Sequence, residues 1–137
     1  MGDYILRALT GDGAVRAMAA VTTKTVERAR QIHNTTPTAT AALGRVLTAA
    51  SLIGCTMKGE RDSLTIQIDG GGPAGRIVAI SDSRANVKGY ISNPLVDLPK
   101  NAKGKLDVGG AIGRNGFLGI IRDLGLKEPY MGQVPLA

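Results

Sequence analysis

The stretch Asp69–Arg76 (DGGGPAGR) decides between two architectures. Gly70, Gly72 and Gly75 stand in the order G-x-G-x-x-G, the spacing with which a βαβ unit cradles a dinucleotide pyrophosphate. That motif needs a strand before the glycines, a helix after them, and an acidic residue about 20 positions further on. The strand is present, because Leu64, Ile66 and Ile68 alternate with Thr65, Gln67 and Asp69. The helix is not. Arg76, Val78 and Ile80 alternate with Ile77, Ala79 and Ser81, again with period two, and Pro73 lies inside the turn. Asp82 and Asp97, the next separated carboxylates, have no matching strand-end context. The glycines therefore read as a hairpin connection between two strands. No G-x-x-x-x-G-K-[ST] phosphate loop occurs elsewhere.

Downstream, Asn86–Ser92 reads as a third strand, reached through the loop Asp82–Asn86. The segment NPLVDLPKNAKGK is a loop by its prolines, asparagines and lysines. Gly109–Gly116 (GGAIGRNG) reads as a turn, Asn115-Gly116 being its strongest signal, and Phe117–Arg122 as a strand. The closing LGLKEPYMGQVPLA receives no element. Its apolar terminus is expected either to reflect truncation or to dock elsewhere.

Upstream, Tyr4–Leu9 and Ala14–Val21 flank Gly11-Asp12-Gly13 as a hairpin. Thr22 or Thr23 is positioned to cap a helix carrying Val26, Ala29 and His33 on one stripe, ending before Pro37. Thr36-Pro37 starts a second helix, expected to run to about Met57. Its stripe of Ala39, Ala42, Leu43, Val46, Leu47, Ala50, Ile53 and Met57 is backed by Ala41, Arg45, Thr48, Leu52 and Cys55. A helix apolar on nearly all sides is buried on more than one side. Hairpin, helices, then a strand meander give an α+β fold, with antiparallel sheets packed around a largely buried central helix.

The 137 residues suffice for one domain, and 43% of them are hydrophobic. No apolar run approaches the length of a membrane span, and the N-terminus lacks a secretory pattern, so a cytoplasmic protein is expected. The net charge of +6 invites a nucleic-acid-binding reading. Against it, the basic residues are scattered and the aromatics are only Tyr4, Tyr90, Phe117 and Tyr130, too few for stacking platforms.

Candidate chemistry is sparse. His33, the one histidine, reads as a packed or capping residue, with general-base work as the alternative. Cys55, the one cysteine, reads as a small buried hydrophobe, although Lys58 nearby would favour its thiolate if the helix end were open. One cysteine and one histidine cannot complete a tetrahedral zinc site unaided. The carboxylates Glu27, Glu60, Asp62, Asp69, Asp82, Asp97, Asp107, Asp123 and Glu128 are dispersed, and read as solvated charge and turn chemistry.

Four stretches together carry a resemblance: HNTTPTATAALGR (His33–Arg45), GGGPAGRIVA (Gly70–Ala79), VKGYISNPLVDLP (Val87–Pro99) and LGLKEPYMGQVPL (Leu124–Leu136). In order and spacing they resemble the N-terminal domain of the heat shock protein 33 family, redox-regulated holdase chaperones of bacteria. The resemblance implies two β-sheets packed across a helix, and ATP-independent binding of unfolding proteins under oxidative stress. It implies dimers on oxidation and no enzyme activity; the part of the domain missing from this sequence is expected to leave apolar surface exposed, which favours a homodimer with strand or domain exchange. It also implies a C-terminal module whose four cysteines hold zinc and release it on oxidation. The single Cys55 matches none of those cysteines, so neither zinc binding nor redox sensing transfers to any residue here. Residues 1–137 are thus expected to form one incomplete N-terminal core domain without the zinc module. No catalytic, cofactor-binding or metal residue is assigned, and no client-binding residue is placed. The partners expected are unfolded or misfolded proteins and not a membrane, with a basic nucleic-acid-binding module as the alternative reading.

Overall fold

In the computed structural model, which describes residues 2–137, the elements follow in the order β1 (Tyr4–Leu9), β2 (Arg16–Val21), α1 (Thr23–His33), α2 (Pro37–Gly54), β3 (Ser63–Asp69), β4 (Ile77–Asp82), β5 (Val87–Ile91), α3 (Val108–Ile112), β6 (Phe117–Asp123) and β7 (Tyr130–Pro135). β1 and β2 form a two-stranded antiparallel ribbon. The other five strands form one antiparallel sheet in the order β5-β4-β3-β6-β7. This is the expected α+β class, with α2 as its central helix.

The glycine turn joins neighbouring antiparallel strands, since Ile68 pairs with Ile77 across it. Its glycines serve a backbone crossing. The amides of Gly72 and Ala74 donate to the carbonyls of Ile112 (2.9 Å) and Ala111 (2.8 Å), and Asn115 N–H donates to the Gly70 carbonyl (3.0 Å). A methyl group at Gly72 would sit 2.5 Å from the Ala111 carbonyl oxygen and 2.7 Å from the Gly113 nitrogen. The connection is therefore a strap over the end of α3, and only glycine fits at that separation.

Alternation along β3 and β4 sends Leu64, Ile66, Ile77 and Ala79 to the side occupied by α2, where they pack with Leu43, Val46, Leu47 and Ala50. Thr36 caps α2 by accepting from the Ala39 amide (3.3 Å), and Pro37 occupies the first turn. The Thr36 hydroxyl donates to the Val96 carbonyl (2.5 Å) and its amide to that of Pro94 (3.0 Å), so the Asn93–Pro99 loop is sewn onto the helix start.

Ten of the eighteen α2 residues are buried. The sheet covers one side and α1 and α3 take the flanks. The backing side is only partly covered: Arg45 and Ala49 are exposed, and Ala41, Thr48 and Leu52 are half-buried. The expected sandwich is therefore open along one stripe.

Four local expectations are corrected. The segment read as a turn at 109–116 begins inside α3, capped by Asp107 through the Gly110 amide (2.9 Å). Two glycines hide this turn of helix, and burial of Val108 and Ala111 stabilises it. Residues 124–137, left without an element, contain β7, which pairs Tyr130–Pro135 with Arg122–Phe117. Pro129, Gly132 and Pro135 break the alternation that announces a strand, so the pairing comes from long-range contact. The second helix stops at Gly54, not Met57, and Gly54 lies against Ser81 and Asp82 of β4 with no room for a side chain.

Finally, Thr22 stands at the start of α1 but its side chain does not cap it. Its hydroxyl pairs with Thr48 of α2 (2.8 Å). The free amides of Lys24 and Thr25 are satisfied by Asp3, at 3.0 and 2.7 Å, and Asp3 also accepts from the Thr25 hydroxyl at 2.6 Å.

Gly72→Ala is expected to destabilise the chain by at least about 2 kcal/mol in denaturant titrations, because backbone must move. Gly109→Ala, where nothing lies within 4 Å, is expected to be neutral or slightly stabilising. The hydrogen bond from the Thr25 hydroxyl holds the Asp3 carboxyl below the usual aspartate range. Its contribution to stability is full above that range and is lost as pH falls through the lowered folded value. Asp3→Ala should lower the melting temperature by about 2–5 °C at neutral pH, and the difference should shrink as pH falls below the usual aspartate range.

Candidate functional site

The open stripe of α2 lies between two apolar grooves. The first, about 800 Å³, runs between α1 and the outer side of α2 over Val26, Ala41, Gly44 and Leu52. Gly44 permits the close approach of α1, since a methyl group there would stand 2.8 Å from Val26 Cγ1. The second, about 540 Å³, lies on the opposite flank, where Val46 and Ile53 face Ile66, Ile68, Leu118 and Ile120. Register explains its floor. Leu118 and Ile120 pair with Ile68 and Ile66, so they share the helix side of the sheet, yet α2 packs chiefly over β4, β5 and β3. β6 is left half-covered. Leu136 and Ala137 also line this groove.

Arg45 and Ala49 line both grooves, which makes them one apolar surface divided by the ridge of α2. A third groove of about 630 Å³ separates α1 from β4 and β5, with Ile32, Val78, Ile80 and Tyr90 in its walls. The ribbon adds a further apolar face. Tyr4 pairs with Val21, Leu6 with Ala19 and Ala8 with Ala17, so every residue on that face is apolar, and Leu6 is 62% exposed. A lone two-stranded ribbon is marginal by itself, and Asp3 ties this one to α1.

The residues singled out for chemistry do not converge. His33 closes α1 and lines the third groove, four residues before α2 begins. Cys55 follows the other end of α2, a helix about 27 Å long at 1.5 Å per residue. A nucleophile and base so separated cannot act together. Cys55 is 5% exposed; its thiol donates to the Leu52 carbonyl (3.1 Å) and lies 3.8 Å from Met18 Sδ. Asp12, Asp62, Asp69, Asp82, Asp107 and Asp123 each accept a backbone amide within their own turn. For Asp82, hydrogen bonds led by the Asn86 side chain hold the carboxyl below the usual range. Among the described residues, no three His, Cys, Asp or Glu side chains group as metal ligands, and one thiol cannot meet the donor set of a four-cysteine zinc module. Zinc chemistry is assigned to no residue of this chain.

The Hsp33 protein family model matches residues 3–137. The chain belongs to the Hsp33 family. It is 54% identical over 136 residues to the 33 kDa chaperonin of Acetivibrio thermocellus and 53% identical to that of Clostridium tetani, in each case covering 99% of this chain and 46% of the relative. The crystal structure of the Hsp33 homologue of Thermotoga maritima superposes with a TM-score of 0.91 at 44% identity, over 97% of this chain and 45% of that one. The chain thus spans about half the length of the curated relatives it matches, and corresponds to their N-terminal portion. No helix among the described residues of this Hsp33 family member is long and apolar enough to cross a membrane.

The sequence pointed to the open stripe of α2 only through its lack of a polar side. The second groove was hidden because it combines residues from three distant segments. The burial of Cys55 leads to a further expectation. Its thiol should react with an aqueous disulfide reagent at least about 100-fold more slowly in the folded chain than in denaturant, measured by absorbance of the released thiolate.

Proposed function

We propose that the chain is the N-terminal core of an ATP-independent holdase chaperone, which binds unfolding proteins under oxidative stress and keeps them from aggregating. The observation that carries this reading is the apolar surface left open among the described residues on both sides of the α2 ridge. Membership of the Hsp33 family and the chaperonin names of the relatives support it. Such a surface recognises unfolded chains through apolar area with little sequence preference, and needs no nucleotide. Redox control, in this reading, belongs to the zinc module outside these residues. Action in the cytoplasm and pairing of two copies, through the apolar ribbon face, are part of the same proposal.

The test is light scattering from a chemically unfolded client diluted with and without the chain, at low and high salt. Suppression at stoichiometric amounts that persists at high salt is expected. Ala49→Glu, at an exposed helix position, should weaken suppression at least about threefold while leaving the circular dichroism unchanged. A folded chain that fails to suppress scattering at any salt concentration would overturn the proposal.

A further inference from the structure

The ribbon meets the core through one face of its two strands. Ile5, Met18 and Ala20 are half-buried, and the other residues of β1 and β2 are exposed. Register puts these three on the same face, since Ile5 pairs with Ala20 and Met18 with Arg7. The Met18 sulfur ends 3.8 Å from Cys55 Sγ, at the C-terminal end of α2. Cys55 is buried, and its thiol donates to the Leu52 carbonyl at 3.1 Å. A thiol carries one proton and a carbonyl is the better acceptor, so Met18 meets Cys55 as an apolar neighbour. Few other described side chains fasten the ribbon to α2. Asp3, ahead of β1, reaches α1, and the Thr22–Thr48 hydrogen bond lies beyond the end of β2. The sulfur contact is made wholly within residues 3–55 and involves neither Leu136 nor Ala137.

We infer that Met18 is an oxidant-sensitive latch, whose conversion to the sulfoxide releases the ribbon from the end of α2. The step is a two-electron oxidation by hydrogen peroxide. The thioether sulfur attacks one peroxide oxygen, an S–O bond forms as the O–O bond breaks, and the proton on the transferred oxygen passes to the departing hydroxide, which leaves as water. Met18 is only half-buried, so so small a reagent has access that Met57, 6% exposed in the core, does not give. The product is polar and needs a donor. Cys55 supplies one only by giving up Leu52, and an acceptor held there without a partner raises the open fraction at least about tenfold. A two-stranded ribbon has little stability of its own to resist this. The inference stands apart from the chaperone reading, and either can fail alone.

The test treats the 137-residue chain with hydrogen peroxide, then with a dithiol that returns reversibly oxidised cysteine to the thiol. Peptide mass spectrometry reads the sulfoxide at each methionine. The rate of Cys55 reaction with an aqueous disulfide reagent, and the rate of tryptic cleavage after Arg7 and Arg16, report release of the ribbon. Met18→Leu keeps an apolar side chain of similar volume without the thioether, and Met18→Gln places a polar one there without oxidant. Oxidation is expected to raise both rates at least about tenfold in the native chain and to leave Met18→Leu unchanged, although Met131, 69% exposed, oxidises in both. Met131→Leu should respond as the native chain does, and Met18→Gln should show raised rates before any peroxide is added.

Unchanged rates in a chain whose Met18 is fully oxidised would overturn the inference. So would an equal rise in Met18→Leu, which would place the sensitive group elsewhere. A Met18 that stays reduced at a peroxide dose sufficient to oxidise Met131 completely would sink it as well.

Discussion

The packing of α2 against one side of the five-stranded sheet is the contact on which the rest of the molecule depends. Leu43 and Leu47 from the helix, and Leu64 and Ile77 from the strands, are among the largest fully buried side chains. Truncating a leucine in such a site typically costs about 2–5 kcal/mol, a large share of a small domain's stability. Everything else is attached to this pair. The Asn93–Pro99 loop is fastened to the helix start through Thr36, α3 leans on its flank, and the glycine strap holds α3 in place. Because α2 is apolar on nearly every side and the sheet is wider than the helix, this one contact leaves apolar surface over on both partners. The grooves are the part of that surface which no other described residue covers.

Much of the fold was legible wherever local pattern and final environment agree. Period two along Leu64–Asp69 and Arg76–Ser81 announces two strands, and Thr36-Pro37 announces the helix start, because those residues are read by their immediate neighbours. Legibility failed where a distant segment supplies the stabilisation. α3 carries two glycines in five residues and is helical because Val108 and Ala111 bury against α2. β7 carries glycine and proline and is a strand because β6 offers it a ladder. The cap of α1 comes from Asp3, more than twenty residues upstream, so no rule restricted to the helix boundary finds it.

The candidate surface follows the same division. Its α2 portion was visible as a helix without a polar face. Its β6 floor was not, since the exposure of Leu118 and Ile120 depends on how far across the sheet the helix reaches. The dispersed carboxylates read correctly as turn chemistry.

The Asp3 cap also bears on the order in which the chain assembles. α1 has no fully buried residue and no side-chain cap of its own, and helices of its length are marginal alone in water. Its first turn is completed only once β1 and β2 have closed and carried Asp3 to the amides of Lys24 and Thr25. Ribbon and helix are therefore tied to each other through Asp3, and are expected to open from the α2–sheet core as one unit. Amide hydrogens of β1, β2 and α1 would then exchange with a shared opening free energy well below that of the core strands.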